Sequence, residues 1–374
     1  MRKPICFLVA LLILNAAGLA NDGAYLSRGG AIYPMKETRI AMKKEFLSFT
    51  CSGDVATVQV LFEFNNPDSV ARKLLVGFQA PSGHGDVSDS LMQASRIRDL
   101  KVMVDGKLLP ITLKAADCED CPLGEISSFK FHGDSPGIYV YLFEVTFRPG
   151  ITRVQHSYDF TASSNVVFDR MFNYILTTGS KWAHSAIGDF TLEIDMGKDQ
   201  YFYVSDVFGK SAEWSIVGTG QVTGHVFGYN DDINMDDINC RMVRTLSGEL
   251  RIDAKNFAPK NNIEFGVSHS LSFFGIPLEG PTGLSEQAHV ALAYVTLDMT
   301  NFRVEPLTKE DLRMVRNTIY ARHGYTFQDK DLRAFYERFN WYIPDPNLEN
   351  VVQQLTTEEH RLISEIVALE KTAK

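Results

Sequence analysis

The sequence predicts a mainly β protein, one or two antiparallel β-sandwich domains followed by a small C-terminal module of three helices. Three observations carry this expectation. Apolar residues alternate with period two from about Asn21 to Met299, the mark of half-buried strands. Gly, Pro and Asn clusters punctuate those runs at short intervals, as turns do. After Leu307 the apolar spacing changes to that of helices.

The strands can be taken in chain order. Val58, Val60, Phe62 and Phe64 share one face of a strand that Asn65-Asn66-Pro67-Asp68 breaks. Leu100, Val102 and Val104 run into Asp105-Gly106, a favoured two-residue turn, and Leu109, Ile111 and Leu113 follow. Tyr139, Tyr141, Phe143, Val145 and Phe147 end at Pro149-Gly150, and Val154, His156, Tyr158 and Phe160 read as their antiparallel partner. Phe190, Leu192, Ile194 and Met196 form another strand closed by Gly197. About 280 residues is long for one sandwich. The expected division is therefore 21–165 and 166–300, with the helical module over 305–374.

In the module, Thr308 to Asp311 forms a capping box, and Leu312, Val315 and Ile319 recur at helical spacing up to the stop at Gly324. A second helix is expected from about Lys330 to Phe339, followed by Trp341 and Tyr342. A third opens at Thr356-Thr357-Glu358-Glu359 and carries Ile363, Ile366 and Val367.

The 374 residues carry 37 basic and 46 acidic side chains, and the formal charge of -9 argues against nucleic acid as a partner. Arg2 and Lys3, the apolar run Ile5 to Leu14 and Ala17-Gly18-Leu19-Ala20 form the pattern of a secretory signal peptide over 1–20. The run is about half the length of a membrane span. Cleavage after Ala20 leaves 354 residues, a charge of -11 and no transmembrane anchor. The expected location is across the inner membrane, periplasmic or extracellular.

Export also bears on the cysteines. Cys6 leaves with the leader, and Cys51, Cys118, Cys121 and Cys240 remain as disulfide candidates, with three pairings open. Cys118-Glu-Asp-Cys121 reads first as a local structural disulfide. Glu119 and Asp120 disfavour the thiolate that redox work needs, and no second C-x-x-C supports zinc.

Asn317-Thr318-Ile319-Tyr320-Ala321-Arg322-His323-Gly324-Tyr325-Thr326-Phe327, followed by Trp341-Tyr342, resembles the YARHG domain of exported bacterial proteins over roughly 305–374. The resemblance implies a role in the cell envelope and assigns no catalytic activity. Asn21-Asp22-Gly23, Gly29-Gly30 and Ile40-Ala41-Met42 resemble the start of a second family of exported bacterial proteins, a domain of unknown function.

Few constellations suggest chemistry. Arg322 and His323 stand where basic residues suit the exposed carbonyls of a helix end, and Tyr320 lies one turn before the stop. The sharper alternative is a recognition surface of Arg316, Asn317, Tyr320, Arg322, His323, Gly324, Trp341 and Tyr342 for an anionic or sugar ligand. Asp232, Asn234 and Asp236 alternate like half of a calcium loop, but Asp237 and Val243 replace its glycine and glutamate, so calcium is a weak candidate and no other cofactor is expected. His156 on an apolar strand reads as a satisfied core residue. Hydrolase elbows, zinc-protease helices and P-loops are absent.

The expected function is non-enzymatic: an exported cell-envelope protein of binding or scaffolding type, with the helical module as its recognition or attachment element. Its partner is an envelope component or a protein. The alternative is a hydrolase of cell-wall or glycan polymer, with its active site assembled from β loops.

Overall fold

The computed structural model describes residues 32–34, 38–81, 97–117, 130–132, 138–164, 168–226, 240–268, 288, 291, 292, 295, 307–339 and 341–373. The leader pattern, Cys118, Cys121 and the Asp232–Asp236 run lie outside them. Among the described residues, sixteen strands fall into two sheets, and the three helices 309–322, 330–336 and 357–370 follow.

Alternation places the strands. In β2 (Ala41–Ser52), β3 (Val55–Asn66) and β10 (Gly150–Thr161) the inward residues are mostly apolar and the outward ones mostly polar. β3 pairs antiparallel with both β2 and β10, and β10 continues to β5 (Ile97–Val104). The expected Asp105-Gly106 turn joins β5 to β6 (Lys107–Leu108), with φ of 46° and 79° as a two-residue hairpin turn requires. On the other side β2 pairs in parallel with β12 (Ile187–Asp195), which leads to β15 (Cys240–Phe257). Strands from either side of position 165 thus join one eleven-stranded sheet.

That sheet turns a corner at β15. Residues 250–257 of β15 pair with β12, while residues 240–245 pair with β13 (Gln200–Ser205). β14 (Glu213–Val226) follows the opposite edge throughout, with Gly218 facing Gly248. Both glycines have positive φ, and a Cβ on Gly248 would stand 1.9 Å from the Val217 carbonyl oxygen. Only glycine lets the two backbones approach this closely at the bend. Beyond the corner, β13 leads to β16 (Ile263–Ser268) and β11 (Phe168–Tyr174), which fold back over β2 and β10. Phe49 meets Phe265 at 4.9 Å and Phe160 meets Phe172 at 6.2 Å, ring to ring.

The second sheet is five-stranded and includes β4 (Arg72–Pro81) and β9 (Ile138–Phe147). Here one expectation is corrected. β9 and β10 do not form a hairpin; Pro149-Gly150 instead carries the chain from one sheet to the other, with Gly150 at φ 83°. β9 lies face to face with β10, so Phe143 packs on His156 and Phe78 of β4 on Tyr158. Alternation had reported a buried face correctly. It does not say which sheet covers it.

Two corrections concern buried polar groups. His156 is in the core, ringed by Phe62, Phe78 and Phe143, yet neither ring nitrogen finds a hydrogen-bond partner among the described residues. Burial lowers its pKa to about 3, so the imidazole is neutral. Cys51 and Cys240 are free, buried thiols rather than disulfide partners, each pushed up to about 12 by burial. They sit in separate surroundings, Cys51 near Arg170 and Asp195, Cys240 near Glu264 and Asp206.

Glu45 points into the same core from β2 and accepts a 2.9 Å hydrogen bond from the Tyr174 hydroxyl. Burial raises its pKa to about 8 against the opposing effect of that bond. Its folded pKa lies above the unfolded one, so its contribution is present below pH 4.5 and is lost as pH rises towards 8. Glu45→Gln keeps the hydrogen bond without the titration. It should gain on wild type by roughly 1.4 kcal/mol per pH unit across that window, in denaturant melts at pH 4 and 8. A gain independent of pH would contradict this placement.

Candidate functional site

The helical module builds its own core first. α1 (Lys309–Arg322), α2 (Lys330–Tyr336) and α3 (Thr357–Glu370) enclose Leu312, Val315, Ile319, Tyr336, Leu362 and Ile366. The expected capping box of Thr308 with Asp311 is present, and the third helix opens on a second one, Thr356 with Glu359. Ala288, Ala291, Leu292 and Val295 are also helical, at i, i+3, i+4, i+7 spacing, and the last three pack into this core. The strand-like reading up to Met299 is corrected there.

The Tyr320–Gly324 segment has one task per residue. The Gly324 amide donates to the Ala321 carbonyl and the Tyr325 amide to the Tyr320 carbonyl, which is a Schellman ending with Gly324 at φ 83°. The Tyr320 and Tyr325 rings meet at 6.2 Å over that turn. Ala321 is fully buried. A Cβ on Gly324 would fall 2.9 Å from the Leu246 side chain of β15, so this glycine also permits contact with the β scaffold.

Arg322 reaches beyond the module to the β scaffold. It is 4% exposed and forms an ion pair with Asp199, which lies just before β13. The second oxygen of Asp199 pairs with Arg244 of β15, itself 2% exposed. Arg244 also donates to the Arg322 carbonyl oxygen at 3.0 Å, placing a cation at the negative end of α1, and lies over the Tyr201 ring at 4.1 Å. His323 Nε2 lies 2.8 Å from a Glu359 carboxylate oxygen, and Arg322 approaches the same carboxylate at 3.7 Å. Burial pushes the Asp199 carboxyl upward, but Arg244 and Arg322 outweigh it and hold the group below its ordinary range. Glu359 ends below its range too, burial being outweighed by His323 and the Thr356 amide.

The remaining sequence candidates have internal partners. Arg316 binds Glu370 at 3.0 Å, joining α1 to α3. The Asn317 side chain donates to the Arg313 carbonyl at 2.9 Å. Trp341 is buried against Phe339 and Tyr336, and the Tyr342 hydroxyl donates to the Tyr325 carbonyl at 2.9 Å. Sequence reasoning missed Asp199 and Arg244 and placed Glu359 only in the opening turn of the third helix.

Beside this ionic cluster opens a cleft of about 410 Å³. The β scaffold contributes Lys198, Asp199, Leu246 and Ser247, and the module contributes His323 and the 345–354 segment. No group of three or more His, Cys, Asp or Glu side chains suited to a metal occurs among the described residues.

Gly324→Ala tests whether the close approach to β15 matters. It should cost about 1–2 kcal/mol for the left-handed backbone alone, with a further loss from the Leu246 contact. Gly53 shares that backbone region but faces open space, so Gly53→Ala is the control in denaturant melts. Equal losses would show that the contact carries no weight.

Residues 288–371 match the model of the YARHG domain, and residues 20–119 match that of a domain of unknown function, DUF4424. No curated protein matches the chain. Among solved structures, a crystal structure of a proposed nutrient binding protein from Legionella pneumophila is similar over 92% of this chain and 98% of its own, at 18% identity and a TM-score of 0.48. Native yeast LTA4 hydrolase is similar over 62% of this chain and 30% of its own, at 8% identity and a TM-score of 0.22. The chain carries a C-terminal YARHG domain preceded by a DUF4424 domain.

Proposed function

We propose that this protein is an exported component of the bacterial cell envelope that binds its ligand without transforming it, and that the helical module is its recognition element, locked onto the β scaffold. The observation that carries this reading is Asp199, shared between Arg244 of the scaffold and Arg322 of the module. The motif arginine is spent on docking, so recognition falls to the surface that the docked parts present together. The charged leader and apolar run at 1–20 support export. Among the described residues no helix is long and apolar enough to cross a membrane.

Co-sedimentation of the mature chain with purified cell-wall fragments tests this. Wild type should pellet with the fragments and release no soluble sugar. Asp199→Ala strands two buried arginines at a cost of about 3–5 kcal/mol. It should stay in the supernatant while the β scaffold keeps its circular dichroism. Sugar release by wild type would establish turnover and overturn the binding role. Equal pelleting of the variant would overturn the role of docking.

A further inference from the structure

The cleft between scaffold and module has a lining that selects among ligand chemistries. Its module wall is dominated by side-chain amides, those of Asn347, Asn350, Gln353 and Gln354. Each amide offers both donors and an acceptor, the pairing a hydroxyl group needs, since a hydroxyl also gives and takes. Of the four, only Asn350 spends a side-chain atom internally, its oxygen accepting from the Val352 amide at 3.0 Å. The other three, with Lys198, make no side-chain hydrogen bond or ion pair among the described residues.

Charge narrows the choice. Asp199 is already held by two arginines, leaving Lys198 against Asp345 and Glu349. That balance does not favour a phosphate or another polyanion, and the chain's charge of -9 disfavours one further. Leu246 and Leu348 are the apolar members of the lining, too few for a lipid tail. The volume of about 410 Å³ lies in the range of small-molecule sites.

The walls are also fixed to one another. The Asp345 amide donates to the Gly324 carbonyl at 2.8 Å, tying the amide-bearing segment to the end of α1. Asp345 Oδ1 accepts from the Asn347 amide at 2.9 Å and so shapes the turn that presents Asn347. The same helix end is anchored to Asp199 and Arg244. The docking cluster therefore sets the width of the cleft.

We propose that this cleft binds a neutral, hydroxyl-rich ligand, a short oligosaccharide, through Asn347, Gln353 and Gln354. The proposal rests on the binding role above and names the chemistry of its ligand. Two sources share that chemistry, an amino-sugar glycan and a plain hexose chain. Calorimetric titration of the mature chain with a tetramer of N-acetylglucosamine and with maltotetraose separates them, with spermine as a cationic control. At least one saccharide should bind. Gln353→Ala/Gln354→Ala should weaken it at least tenfold with the melting temperature unchanged, and Asn347→Ala should weaken it in the same direction. Binding of neither saccharide overturns the proposal, whether or not spermine binds. Saccharide binding that both variants leave unchanged removes it from this cleft. The same variants in the wall-fragment assay separate the two readings. If wild type and both variants pellet alike, the binding role stands and the cleft assignment falls.

Discussion

The Asp199 carboxylate holds the two parts of the molecule together. A buried charge is costly unless paired, and here one carboxylate pairs with two arginines that are themselves almost fully buried. Loss of any one of the three leaves a buried charge short of an ion-pair partner. The scaffold alone would leave Asp199 and Arg244 with one partnership fewer, and the module alone would deprive Arg322 of its ion pair with Asp199, leaving it the Val295 carbonyl at 3.3 Å and the Glu359 carboxylate at 3.7 Å. Such clusters contribute little net stability compared with apolar packing, but they penalise every arrangement that breaks them. Their effect is to define one docked geometry.

That geometry depends on features far from the charges. β15 can reach both β12 and β13 because Gly218 and Gly248 let it bend beside β14. The bend brings Arg244 and Leu246 to the module side of the sheet. Gly324 then admits Leu246 against the end of α1, and the Schellman turn aims Arg322 and His323 to opposite partners, Asp199 and Glu359. Gly218 and Gly248 thus act at a close backbone approach, and Gly324 at a close contact with the Leu246 side chain. The Tyr320–Gly324 motif is in this light a helix ending and a docking contact at once.

Much of this is legible in the chain, and the limit has a physical cause. Alternation, the Asp105-Gly106 turn and the capping boxes at Thr308 and Thr356 are local signals, fixed by residues within a few positions of each other. Pairing partners are not local. Pro149-Gly150 has the composition of a hairpin, yet the strands on either side belong to different sheets. Asp199 and Arg322 are 123 positions apart, and Asp199 and Arg244 are 45 apart. Each alone looks like an ordinary surface charge. His156 shows the opposite limit: its place on an apolar face indicates burial, but nothing nearby in sequence reveals that its nitrogens lack partners.

The central claim is that Asp199 and Arg322 act as one unit across the junction. A double-mutant cycle measures this directly, with Asp199→Ala, Arg322→Ala and the double variant compared in denaturant melts at pH 7. The account predicts a coupling energy of at least about 1 kcal/mol, with the double variant losing less than the two single losses combined. Strictly additive losses would show that the two side chains act independently and would contradict it.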